Sequence, residues 1–324
     1  MNLALRIGAA LLLLGAIVWY LGGVGAIAQT IAQANGVLLF AAFVVITADR
    51  ALMAFKWSLL LHAQDIEMPL PRGLKIYCAS AMWGLFLPTT VGADLVRAYL
   101  TTKSGAQGAK VLASIVVERI IGYLASLLMG IAGLVILAAY GGTDRRLTAL
   151  WAIALAMLVA GLALFAISFD KRLFALVRRI VPERLRDGKI MRRLEEFHDT
   201  YRAFGARTSV TTVFFALTVV EQFLSILFAW VIALSIGLDV GLMFIAGVLP
   251  ITLLVSRLPI SFEGIGVFEG VFVLLMRLGG VDAASAVSIA LIGRLIQLAA
   301  ATPWWLAHAW EGKSFERPKI LPGA

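Results

Sequence analysis

Ionisable side chains set inside apolar tracts are the residues of this 324-residue sequence with the types and spacing to do chemistry. Arg97, Arg119 and Arg294 each stand in an apolar run, as do Glu118 and Glu221. Glu263 and Glu269 lie in Leu258-Pro259-Ile260-Ser261-Phe262-Glu263-Gly264-Ile265-Gly266-Val267-Phe268-Glu269-Gly270, which mixes a proline and three glycines into an apolar region. A charge at the centre of a bilayer costs about 2.5–3.5 kcal/mol on insertion scales, so it is kept where it pairs or binds. The arginine guanidinium matches the oxygens of a phosphate in a planar fork. Arg97, Arg119 and Arg294 therefore suit a lipid phosphate. Glu118, Glu221, Glu263 and Glu269 suit either those arginines in the empty site or an amino group on the lipid. The competing reading of Glu118, Arg119, Glu221 and Arg294 is interhelical ion pairing, because a buried charge needs a partner in any case.

Catalytic chemistry finds no such support. The loops carry no D-x-D, no H-x-x-x-x-D and no Ser/His/Asp set, and His62, His198 and His308 are isolated. No catalytic residue, metal site or cofactor is assigned, and an enzyme is not expected. The single cysteine, Cys78, excludes an internal disulfide and supplies no metal cluster.

The elements that must position these side chains are membrane helices. Hydrophobic residues make up 61% of the chain, charged residues 15%, and the mean hydropathy is +0.94. Soluble domains average nearer half apolar and a quarter charged. Apolar tracts at about 7–21, 36–61, 111–139, 147–169, 211–236 and 283–309 predict six full spans in a single transmembrane domain covering 1–324. Arg119 and Arg294 fall about 8 and 11 residues into their spans, roughly 12 and 16 Å deep. Four further apolar pieces are too short to cross. Pro88-Thr89-Thr90 divides 74–87 from 91–100, and Leu258–Gly270 follows a short piece at 241–255. Irregular backbone at membrane depth is tolerated only where protein or a water-filled cavity covers it. Two re-entrant helical hairpins are expected, shaped by Pro88, Gly92 and Asp94 in the first and by Pro259, Gly264 and Gly266 in the second. Half-helices starting near Thr90 and Phe262 would aim their positive N-terminal ends at the midplane. Arg257 reads as a cation closing a half-helix, and Arg50 as a side chain reaching the inner headgroups.

Loop charge sets the orientation. The formal net charge is +9, and it reads as cytoplasmic loops, not as a nucleic-acid surface. The segment 170–207 holds eleven lysines and arginines at amphipathic spacing, and is expected to lie along anionic headgroups as a cytoplasmic connector. Both termini are then cytoplasmic in a bacterial inner membrane, with the uncharged 22–35 loop outside. The two broken regions also look like copies. Asp49 precedes Pro88 by nearly the same interval as Glu221 precedes Pro259, and Arg119 and Arg294 follow those prolines at similar intervals. A charge also comes two to three helical turns after each proline, at Arg97 and at Glu269. These spacings predict two inverted-topology repeats, about 36–139 and 210–310, with a site where they meet.

The run Leu87-Pro88-Thr89-Thr90-Val91-Gly92-Ala93-Asp94-Leu95-Val96-Arg97-Ala98-Tyr99 resembles a signature of the lysylphosphatidylglycerol synthase transmembrane, or flippase-like, family. Val117-Glu118-Arg119-Ile120 and Leu258-Pro259 through Glu269 are similar to two others, although Phe262-Glu263 stands where small residues are usual. The resemblance covers nearly the whole chain. It implies movement of a phospholipid or polyprenyl-phosphate-type lipid between leaflets, with anionic or zwitterionic membrane lipids as partners. Some members carry a soluble aminoacyl-transferase domain after the membrane part; the short stretch from Glu311 to Ala324 is not expected to hold one. A membrane-embedded transferase of lipid-linked groups, or a non-transporting scaffold for a lipid-modifying partner enzyme, is the alternative.

Overall fold

The structure, a computed structural model, describes residues 32–84, 92–103, 105–141, 145–170, 188–257 and 264–310, together with Gln29 and Arg172. Every regular element among them is a helix. Asn35 opens α1 (Gly36–His62), its side-chain oxygen accepting the N–H groups of Val37 and Leu38 at 2.9 and 3.3 Å. Those are two of the donors that a helix start leaves without an internal partner. Two short helices follow, α2 (Leu70–Gly84) and α3 (Gly92–Lys103), then α4 (Gly108–Gly141) and α5 (Arg145–Ser168). The connector helix α6 (Lys189–Ala206) leads into α7 (Thr208–Ser235). A second short pair, α8 (Leu242–Ser256) and α9 (Val267–Met276), precedes α10 (Ala283–Trp310). Among the described residues α1, α4, α7 and α10 are long and apolar enough to cross a membrane. At 1.5 Å per residue even the 27 residues of α1 run about 40 Å, more than the roughly 30 Å of a hydrocarbon core.

Helices α7–α10 follow the order and spacing of α1–α4. Helices α1 and α2 start at Gly36 and Leu70; α7 and α8 start at Thr208 and Leu242, and one offset in sequence relates both pairs. Helices α3 and α4 start at Gly92 and Gly108; α9 and α10 start at Val267 and Ala283, again with one common offset, larger by three positions. The second short pair therefore has a tip three positions longer than the first. The packing follows the same exchange: α1 lies along α7, α2 packs on α10, and α8 packs on α4. The first two run antiparallel, because the Asn35 N–H donates to the Ser235 carbonyl at 2.7 Å while Lys56 meets Glu221 further along.

Close contact between helices depends on missing side chains. A Cβ on Gly133 of α4 would stand 2.7 Å from the Gly247 carbonyl oxygen of α8, so the approach of these backbones requires glycine at Gly133. The main core lies between α1 and α7–α10, with Ile46, Phe228, Ile232, Ile245, Phe272 and Met276 at its centre. A smaller cluster around Trp57, Ile76 and Val111 ties α1, α2 and α4 together. Tyr201 and Phe204 dock α6 against Val117 of α4 and Phe214 of α7. The outward faces are apolar instead of charged, as at Phe40, Leu164 and Leu274, each about two-thirds exposed. Large apolar surfaces of that kind are stable facing lipid and unfavourable facing water. The chain is a multi-pass helical membrane protein.

Candidate functional site

Each short pair carries an acid at the third residue of its second helix, and that acid meets an arginine on the long helix that follows. Asp94 accepts the Arg119 Nε–H at 2.6 Å, and Glu269 accepts the Arg294 Nε–H at 2.6 Å. Partners are 25 residues apart in both. Asp94 and Glu269 are thus the equivalent acids. The spacing from proline suggested Arg97 and Glu269 instead; the longer tip of the second pair accounts for the difference. Asp94 also takes the Arg97 Nη2 hydrogen bond at 3.1 Å. Glu269 uses its second oxygen on the Gly266 N–H at 2.6 Å, which caps α9. Gly266, at φ 81°, and Gly264, at φ 72°, both sit in the left-handed region that favours glycine. Gly92 is the first residue of α3. Pro88, Pro259 and Glu263 lie outside the described residues, as do the expected half-helix starts at Thr90 and Phe262.

Arg97 is buried at 2% exposure and serves the first pair as an internal strut. Its guanidinium contacts both Glu118 oxygens, at 3.1 and 3.0 Å, and lies between the Trp57 and Tyr77 rings, with centroids 4.9 and 4.7 Å away. The Tyr77 hydroxyl donates to Glu118 at 3.2 Å. The offset that carries α3 and α4 onto α9 and α10 places Phe272 at the position of Arg97 and Gly293 at that of Glu118. An ion pair that fills space in the first half is therefore replaced in the second by a ring and a bare backbone.

Space opens there. A cavity of about 280 Å³ is bounded by α1, α7, α8, α9 and α10, with Phe272 and Gly293 in its wall. Five ionisable residues line it: Asp49, Arg50, Glu221, Arg257 and Arg294. Of the seven headgroup residues expected from sequence, Glu221 and Arg294 are in the wall, and Glu269 stands directly behind Arg294. Arg97, Arg119 and Glu118 gather at the first pair instead and are not part of the cavity wall. Glu221 is engaged by Lys56, whose Nζ also donates to Thr218 Oγ1 at 3.0 Å.

Arg257 and Arg50 are the side chains that sequence reasoning undervalued. Arg257 donates to the Gly122 carbonyl at 3.1 Å and to Ser126 Oγ at 2.7 Å, with its guanidinium 5.5 Å from the Tyr123 ring centroid. Arg50 donates to Gln297 Oε1 at 3.2 Å and to Met53 Sδ at 3.4 Å. Among the described residues neither is ion-paired to a carboxylate. The signal for Arg257 was present: it follows a helix of only 15 residues, about 22 Å long, so that end cannot reach the far surface. Lys56 also had a signal, since it lies two turns after Asp49 on one helix face.

The arrangement is a recess with three arginines in its wall, neutral hydrogen-bonding side chains beside them and apolar surroundings. It can take a phosphate-bearing group while the rest of an amphiphile stays in apolar surroundings. Among the described residues no cluster of His, Cys, Asp and Glu has a metal-binding arrangement.

Comparison with known proteins agrees with the membrane architecture. A curated relative from Methanothermobacter thermautotrophicus, described as a UPF0104 membrane protein, is 22% identical over 295 residues, covering 85% of this chain and 85% of that one. The family profile of the lysylphosphatidylglycerol synthase TM region matches residues 6–304. With nearly the whole chain inside that match, the protein belongs to the lysylphosphatidylglycerol synthase TM region family.

Proposed function

We propose that this protein is a flippase-like lipid translocator, which carries the phosphate-bearing headgroup of a phospholipid or polyprenyl-phosphate-type lipid between leaflets without covalent chemistry and without a cofactor. The observation that carries this reading is the cavity lined by Arg50 and Arg257, both free of carboxylate partners among the described residues. A bare charge in hydrocarbon costs several kcal/mol, and inward-facing guanidinium groups offset that cost for a phosphate at the depth where it is greatest. In this reading the short-helix pairs are re-entrant hairpins reaching in from opposite faces. The two quartets, α1–α4 and α7–α10, are inverted-topology repeats within one transmembrane domain of about six full spans. The protein sits in a bacterial inner membrane with both termini cytoplasmic, and α6 lies along the inner headgroups. The acids that hold Arg119 and Arg294 then keep the hairpins seated while the headgroup passes Arg257 and Arg50. A lipid-modifying enzyme is the kind of protein partner that would supply or consume such a lipid.

The test is reconstitution into vesicles containing a fluorescent phosphatidylglycerol, with the outer-leaflet dye quenched chemically. Arg257→Gln removes a charge-assisted contact of about 1.5–3 kcal/mol, so translocation should fall by roughly tenfold to a hundredfold. Arg97→Gln, at a residue outside the cavity lining, serves as a comparison for indirect damage. Wild-type vesicles that do not translocate, or an Arg257→Gln protein that folds and works at the wild-type rate, would overturn the assignment.

A further inference from the structure

Asp49 and Glu221 occupy equivalent positions, related by the same offset as the helices that carry them, and both face the cavity. Their surroundings differ. Glu221 is engaged by Lys56, but the position equivalent to Lys56 in the second half is Phe228, so Asp49 has no lysine of its own. Asp49 is buried at 4% exposure, and its Oδ1 has no hydrogen-bond donor among the described residues. A buried carboxylate oxygen without a donor is costly and is not tolerated without a reason. Three arginines share the cavity with it, and among the described residues two of them have no carboxylate partner.

We propose that Asp49 is a proton-binding site linked to headgroup binding: its carboxylate takes up one proton when a lipid phosphate docks among Arg50, Arg257 and Arg294, and releases it when the phosphate leaves. This rests on the headgroup assignment above and adds an ion that moves with the lipid. The proton comes from solvent onto an Asp49 oxygen, and no bond to the lipid forms or breaks. An ionised Asp49 competes with a phosphate for the arginines. A neutral Asp49 no longer repels the phosphate, and its Oδ1 or Oδ2 gains a proton to donate. Linkage is reciprocal, so if protonation strengthens phosphate binding, phosphate binding must draw in the proton.

The neighbouring charges are accounted for on every packed element. On α1 itself these are Arg50 and Lys56, and α7 contributes Glu221. From α10 and the α8 end come Arg294 and Arg257. Helix α2 packs on α1 with Tyr77 and Cys78, and α4 brings Glu118, which Arg97 and Tyr77 already hold. Among the carboxylates of the cavity wall, Asp49 is the one with a buried oxygen that lacks a donor.

The experiment measures binding of short-chain phosphatidylglycerol to the detergent-solubilised protein between pH 5 and pH 9, by calorimetry in buffers of different ionisation enthalpy. The phosphodiester stays singly charged across that range, so any pH dependence belongs to the protein. Wild type should bind more tightly at low pH, by up to about tenfold per pH unit for one linked proton. It should also take up a proton on binding. Asp49→Asn should bind with the low-pH affinity at every pH and take up none. No proton uptake by wild type overturns the proposal without recourse to any variant. A pH profile kept in Asp49→Asn but lost in Glu221→Gln overturns it in favour of the other acid. Absence of phosphatidylglycerol binding at every pH overturns the headgroup site and this proposal together, whereas tight binding that ignores pH overturns this proposal alone.

Discussion

Replacing Glu269 separates the roles of its two oxygens. The residue is fully buried; Oε1 accepts from Arg294 and Oε2 accepts from the Gly266 N–H, both at 2.6 Å. Both partners are donors. A carboxylate serves both, but a carboxamide has one acceptor oxygen and one donating nitrogen, so Glu269→Gln must leave one of them unsatisfied. The orphaned group costs about 1–3 kcal/mol. Glu269→Ala loses both contacts. Breaking a buried pair costs about 3–5 kcal/mol, and Arg294, whose side chain is 34% exposed, recovers part of that from its open side. The expected order of stability is wild type, then Gln lower by about 1–3 kcal/mol, then Ala lower by about 3–5 kcal/mol. The chain supplies its own reporter. Cys78 is its only cysteine, 1% exposed, and packs with Ala54 of α1 and Ala301 of α10. Thermal unfolding of the detergent-solubilised protein followed with a thiol-reactive fluorophore reads a single site, on a helix that rests against α10. The double variant Glu269→Gln, Arg294→Gln should lose less than the two single losses together, since the groups share one interaction. A Glu269→Gln protein with the wild-type midpoint would refute the two-acceptor account.

Other parts of the fold make their own predictions. Gly133→Val places a side chain where a Cβ already stands 2.7 Å from the Gly247 carbonyl oxygen, so α4 and α8 must separate; a loss of about 1–3 kcal/mol is expected in the same thiol assay. Asp282 precedes α10 and accepts the Ser285 N–H at 2.9 Å, and hydrogen bonding to Ser285 holds its carboxyl below the ordinary value of 3.8. Its folded value is depressed, so its stabilisation is present above the ordinary value and is lost as pH falls through the folded one. Asp282→Ala should therefore lower stability by about 1 kcal/mol at neutral pH, and the gap to wild type should close in acid.

Much of the architecture was legible in the sequence because helices report their own period and length. The long apolar tracts at 36–61, 111–139, 211–236 and 283–309 correspond to α1, α4, α7 and α10. Pieces too short to cross became the two short pairs. Arg119 and Arg294 were marked as mid-depth charges, and each is held by the acid at the start of the preceding short helix. Ion pairing, the competing reading of those arginines from sequence, describes the contacts they make. What did not read correctly was which charges share a space. Arg97, expected as a ligand for phosphate, contacts Glu118, Asp94 and two rings and is not in the cavity wall. Arg257 looked like a helix end, and it does close α8; it also lines the cavity.

By itself the sequence determined the membrane setting, the helical class, the short helices and the positions at which charge falls within apolar tracts, since hydropathy, proline and glycine act within a few residues of where they stand. The tertiary structure alone decided the partners. Lys56 reaches Glu221 across 165 positions, and Arg257 reaches Ser126 across 131. No local period encodes such pairings, because they depend on how antiparallel helices slide and rotate against one another. That packing assigned the strut of Arg97 and Glu118 to one half of the molecule, opened the cavity beside Phe272 and Gly293 in the other, and left Asp49 as the acid without a lysine.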